Sequence, residues 1–301
     1  MFKNLKANAG LLSLFLATFI WGATYVVTKI GLDEMGPNTL GFYRGILGSA
    51  FLVSVLVFQG KFKSFFSTVK KQPHVFALIG FIGITLSMIT QNIALTLTTS
   101  ALFSIILATT SPIFIALISA MFLKEKLSLT KIAGLVLGFI GVAVILFNKD
   151  LIAGIGGTAS LIGQLLSLAT SFVWAIYSIQ NKHYSKDISA IFLTTGAYIF
   201  GTLFLAPVSF IFETPLVFMS FSAITWAIIL FLGIASAGLA FYLWSYGFSK
   251  VEASKAGMFM YLIPVISLSL GWLLLDEVLT AQAVIGSAII LGGVLLVEKN
   301  K

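Results

Sequence analysis

The stretch LKEKLSLTKIAGLVLGFIGVAVIL, residues 123–146, has a counterpart 152 residues later in LDEVLTAQAVIGSAIILGGVLLVE, residues 275–298. Each opens on a Leu-x-Glu-x-Leu segment, at Glu125 and at Glu277. Each then enters an apolar run with matched glycines, Gly134 and Gly141 in one, Gly286 and Gly293 in the other. At the same offset Ala101, Pro112 and Val142 pair with Ala253, Pro264 and Val294. One residue further on, Phe19, Trp21 and Lys29 pair with Phe172, Trp174 and Lys182; after a slip of two, Phe81, Gly83 and Ile84 pair with Phe231, Gly233 and Ile234. The matches keep their order across most of each half. A period of about 150 residues means a duplicated domain and not a solenoid. The halves are 1–148 and 149–301.

Outside that pair the whole chain has the same character. It is 59% apolar and 9% charged, with a mean hydropathy of +1.08. A soluble domain carries about 25% charged residues because its surface meets water, so most of this surface meets lipid. Apolar windows fall near 10–29, 38–59, 74–96, 100–123, 129–147, 158–180, 189–212, 223–247, 255–275 and 280–297. Each is long enough to cross a bilayer as a helix of about 20 residues. The first outruns a signal-peptide core and has no clear small-residue cleavage site after it, so it reads as a retained span. The expected fold is an all-α integral membrane protein of ten transmembrane helices.

The lysines orient it. Lys3 and Lys6 lie in the N-terminal tail, and Lys61, Lys63, Lys70 and Lys71 in the second gap. Lys124, Lys126 and Lys131 lie in the fourth gap, Lys182 and Lys186 in the sixth, Lys250 and Lys255 in the eighth, and Lys299 and Lys301 in the C-terminal tail. The alternate gaps hold Lys29 and Lys149 alone, a ratio of fifteen to two. Positive loops stay in the cytoplasm, which places both termini there, in a bacterial inner (plasma) membrane. The net charge of +8 is explained by those loops, so no nucleic-acid partner is called for. Five spans per half is an odd number, so the second half enters the membrane upside down. Two inverted five-helix repeats are the architecture of alternating-access transporters, with the substrate held near the midplane between them.

The run Trp21-Gly22-Ala23-Thr24 with Lys29, the Phe42-Tyr43-Arg44 segment and the paired Leu-x-Glu-x-Leu motifs resemble EamA-like transporters of the drug/metabolite transporter superfamily. The resemblance covers essentially the whole chain. It implies ten helices, two repeats and export of amino acids or other small metabolites. The first half fits the pattern better, since Thr195 falls where Arg44 would align.

Candidate site residues follow from polar groups inside apolar windows. Trp21 and Trp174 lie deep in the first and sixth spans at matching repeat positions, whereas Trp226, Trp244 and Trp272 sit near span ends and suit the interfacial aromatic belt. Thr18, Trp21, Thr24, Tyr25 and Thr28 share one helix face, as do Gln164, Ser167, Ser171, Trp174, Ser178 and Asn181. Such faces turn away from lipid, toward a wet cavity or a hydrogen-bonded neighbour. Arg44, the sole arginine, stands roughly 9 Å into the second span. There it either snorkels to the outer headgroups or puts a cation at the outer mouth of a pathway. Such a cation favours neutral, zwitterionic or anionic cargo over organic cations. Gln91, Asn92, Tyr242 and Tyr246 offer uncharged hydrogen bonds to a ligand or to neighbouring helices, and Tyr261 is a weaker candidate. Pro112 and Pro264 are mid-span and suggest a hinge or a shaped wall in each repeat. Glu125 and Glu277 suit helix-end structural roles.

The ten acidic residues all map to span ends or loops, so no buried carboxylate offers a proton relay. With no cysteine and no mid-span histidine, an intramembrane enzyme lacks its nucleophile and base. A lipid scramblase or exporter shares the repeat logic and is the main alternative. The expected partners are a small-molecule substrate and the lipid bilayer, with no cofactor, no metal and no obligate protein partner. The expected site is a central cavity between the first, third, sixth and eighth spans.

Overall fold

The apolar windows become helices almost residue for residue. The computed structural model describes residues 2–146, 158–213, 221–275 and 281–299; Lys149, Glu277 and the side chain of Trp272 lie outside what is described. In the first half α1 is Phe2–Gly31, α2 Pro37–Phe58, α3 Phe62–Lys71, α4 Pro73–Leu97, α5 Ser100–Phe122 and α6 Leu129–Leu146. In the second half α7 is Thr158–Tyr184, α8 Ala190–Phe212, α9 Ala223–Lys250, α10 253–275 and α11 Ala281–Lys299. Seven of these helices have the length and apolarity to cross a membrane, and α6, α10 and α11 contribute shorter apolar stretches. The chain is a multi-pass membrane protein.

Local chemistry sets the boundaries. Pro37 and Pro73 open α2 and α4 from the first turn, where a missing N–H costs nothing. The Thr99 and Ser222 hydroxyls accept from the Leu102 and Thr225 amides and cap α5 and α9. The second gap is not a plain loop, because α3 turns one face inward. Phe65 is buried there against Phe76 and Phe192.

Packing brings the halves together along their length. Gly10 meets Lys250, Trp21 meets Ser236 and Gly31 meets Ile228, so α1 and α9 run antiparallel. Ser178, Asn181 and Lys182 meet Trp244, Ser245 and Phe248 in that order, so α7 and α9 run parallel. It follows that α1 and α7, which carry the matched tryptophans, point in opposite directions. At the periphery α6 and α11 cross at their glycines, Gly134 against Gly293 and Gly141 against Gly286.

Both halves contain the same irregularity and the same clamp. The helix widens to π turns over Phe81–Leu86 in α4 and Phe231–Ala240 in α9, the segments already paired by sequence. Such turns recur at functional sites. Lys29 donates to the carbonyls of Leu95 and Thr98, 66 and 69 residues on. Lys182 donates to those of Phe248 and Val251, again 66 and 69 residues on. A lysine from α1 thus closes the C-terminal end of α4, and one from α7 closes that of α9, where carbonyls lack partners and the helix dipole favours a cation. Lys29→Met and Lys182→Met should each lower unfolding free energy by about 1–2 kcal/mol. Unchanged unfolding midpoints in detergent would refute the clamp.

Candidate central cavity

A small cavity of about 30 Å³ lies between the halves. From α1 come Trp21, Thr24 and Tyr25, from α2 Arg44, and from α4 Gly83, Ser87, Met88 and Gln91. Leu107 of α5, Thr170 and Trp174 of α7, Phe241 of α9 and Met260 of α10 complete it. The wall therefore includes α2, α5 and α10 besides the four spans expected from sequence.

Helical spacing explains the selection. Trp21, Thr24 and Tyr25 share the inner face of α1, and Thr170 and Trp174 are one turn apart on α7. In the π segment of α4, Gly83 leaves room for Tyr177: a Cβ there would fall 1.9 Å from the ring. Five tryptophan and phenylalanine rings form one cluster. Trp21 and Trp174 meet edge to face at 5.1 Å between centroids, and Phe241 stands 5.4 Å and 5.3 Å from them. Trp244 lies 5.3 Å from Trp21 and 5.6 Å from Trp174. Phe248 packs tilted 4.8 Å beyond it, so the cluster closes the cavity toward the end of α9 that carries Lys250.

A polar node sits opposite. The Arg44 Nη2 donates to Ser236 Oγ at 3.0 Å, and Thr24 Oγ1 donates to the same oxygen at 3.1 Å. Trp21 Nε1 donates to the Ser236 carbonyl at 3.4 Å. Ser236 lies inside the π segment of α9, so that irregularity gathers α1 and α2 onto one residue.

Of the residues singled out from sequence, Trp21, Thr24, Tyr25, Arg44, Gln91 and Trp174 meet at the cavity. The others lie elsewhere. Neighbours on a helix point about 100° apart, so with Gln91 inward Asn92 turns aside and donates to the Pro37 carbonyl at 2.8 Å. Ser178 accepts from Trp244 Nε1 at 3.1 Å, outside the cavity wall. Tyr242 and Tyr246 lie against each other with tilted rings 6.3 Å apart, on the face of α9 away from Phe241, with the Lys250 ammonium over Tyr246. Tyr261 bonds the Leu135 carbonyl at 3.1 Å and fills the space at Gly138. Pro112 leaves α5 continuous, whereas the turn before Pro264 tightens to a 3-10 segment, Met258–Tyr261.

Two placements correct the sequence reading. Trp244 is fully buried in the aromatic cluster and is not an interfacial anchor. Its position near a span end misleads because α9 is 28 residues long, longer than a bilayer needs. Arg44 does not snorkel: it is 3% exposed and faces the cavity. Phe241 and Ser236 were not singled out at all, and only the three-residue spacing from Phe241 to Trp244 hints at a shared face.

The sequence model of the EamA-like transporter family matches residues 8–147 and again 161–298. The "uncharacterized transporter YoaV" of Bacillus subtilis (strain 168) is 31% identical over 290 residues, 95% of this chain and 95% of its own. An "uncharacterized transporter" of Archaeoglobus fulgidus is 29% identical over 96% of this chain and 98% of its own. A solved crystal structure superposes on 96% of both chains with a TM-score of 0.81 at 23% identity, a likeness of fold alone. The chain belongs to the EamA-like transporter family and is a multi-pass membrane transporter.

Proposed function

We propose that this transporter exports small metabolites, amino acids or related neutral and zwitterionic compounds, by alternating access around the central cavity. Its ten spans form two inverted five-helix repeats, 1–148 and 149–301, with both termini in the cytoplasm of a bacterial cell. The reading rests above all on Trp21 and Trp174. They are paired at matching repeat positions on oppositely directed helices, and they touch each other in the cavity wall. Opposed matched helices suit a site that opens to one side or the other as the repeats rock. Pro112 and Pro264 are the hinge positions in that motion.

The test is flux of neutral, acidic and basic amino acids by purified protein in liposomes, with and without a pH gradient. Saturable flux of neutral amino acids is expected, and it should fall about tenfold or more in Trp21→Ala and Trp174→Ala. Wild-type rate and selectivity in both folded variants would remove the site. Movement of fluorescent phospholipid between leaflets, with no amino-acid flux, would favour a scramblase.

A further inference from the structure

We infer that the cavity selects its substrate by a carboxylate, which docks on Arg44 while an apolar body lies against the aromatic wall. This rests on the transport reading above and adds the substrate class.

The cavity has an excess of donors. A guanidinium carries five N–H groups, accepts nothing and stays charged. At 3% exposure it needs a partner, because an isolated charge in the membrane interior is costly. The structure supplies one neutral bond, to Ser236, and leaves Nε without a partner. Trp174 Nε1, Gln91 Nε2 and Ser87 Oγ also line the cavity, buried and without partners. Trp and Arg can only donate, and an ionised carboxylate can only accept. No acidic side chain is among the cavity-lining residues. The ion pair found among the described residues, Lys131 with Glu252, lies elsewhere.

The same census sets the charge. One cation in the wall matches one negative charge, and a planar carboxylate suits the guanidinium fork. A phosphate monoester carries about 1.5 to 2 negative charges near neutral pH and calls for a second cation. No lysine lines the cavity, and Lys29 is bonded to the end of α4. Trp21, Phe241, Leu107 and Met260 then receive the apolar part.

The experiment compares four ligands of one shape on the purified full-length protein: 3-phenylpropionate, phenylalanine, 3-phenylpropionamide and phenethylamine. Binding is read from quenching of tryptophan fluorescence and from the shift in unfolding midpoint. The two carboxylates should bind about tenfold or more tightly than the amide and the amine. Arg44→Gln should abolish that preference, and Trp174→Phe, which keeps a ring but loses the N–H, should weaken it several-fold. Equal binding of the amide or amine, no binding of either acid, or an undiminished preference in Arg44→Gln would overturn the inference. The wild-type comparison decides the matter even if a variant fails to fold. Saturable, Trp21-dependent flux of phenethylamine would leave transport standing and remove only the carboxylate. Loss of flux for every compound would strike the transport reading itself.

Discussion

Valine in place of Gly286 is expected to force α6 and α11 apart and to destabilise the protein by about 3 kcal/mol. A Cβ at Gly286 would lie 2.5 Å from the Gly141 carbonyl oxygen and 2.6 Å from Ile145 Cγ1. The reverse contact is as close, 2.7 Å from a Cβ at Gly141 to the Gly286 oxygen. The obstacle is backbone, which cannot swing away as a side chain can, so the helices must separate. In lipid that separation is costly because fit, and not the exclusion of water, holds helices together. Gly292 is the control: a Cβ there meets nothing within 4 Å, so Gly292→Val should change stability little. Similar unfolding midpoints for the two variants would show that the glycine crossing does not hold the pair.

Glu125→Ala should cost about 2–3 kcal/mol. Lys124 takes a left-handed turn, φ 56°, and carries Glu125 back over the start of α10. There the carboxylate accepts from the Ala253 amide at 2.7 Å and from the Ser254 amide and hydroxyl at 3.0 Å and 2.9 Å. Removing it leaves three donors unmatched at a helix N-terminus, where negative charge is favoured. Glu125→Gln should recover only part of this, because with its oxygen on the two Ser254 donors its amide end faces the Ala253 N–H. The neighbouring Glu252, 61% exposed and paired with Lys131, provides the contrast, since an exposed ion pair contributes under about 1 kcal/mol. If Glu125→Ala unfolds no earlier than Glu252→Ala, the bridge from α5 to α10 carries no weight. Glu213 makes a similar bridge, its carboxylate accepting from Asn38 and Thr39 at the start of α2.

The helices were legible because apolar length alone separates span from loop, and the predicted 38–59 and 189–212 differ from α2 and α8 by no more than a residue at either end. Trp21 and Trp174 were legible because repetition singled them out from other tryptophans. Arg44 was misplaced because counting residues from a span end measures depth but not the side to which a side chain turns. Its direction depends on α9 passing behind it, a contact between distant parts of the chain. The π segments could not be read, since nothing in hydropathy distinguishes a turn of wider pitch. With the helix widened there, the inner face of α9 shifts, and Phe241 joins the cavity while Tyr242 and Tyr246 turn away. Adjacent polar residues such as Gln91 and Asn92 were bound to divide, because one helix cannot aim both at the same space.

The lysine clamps explain how the two halves can differ so much in sequence and still share a shape. Lys29 grips Leu95 and Thr98, and Lys182 grips Phe248 and Val251; neither acceptor residue is the same in the two halves. The bond reaches a peptide oxygen, which every residue supplies. The position of the helix end in space is therefore the whole specification, and side chains at the acceptor positions are free to drift. A joint of this kind survives substitution at its acceptor positions, whereas a shift that carried the end of α4 or α9 out of the lysine's reach would break it.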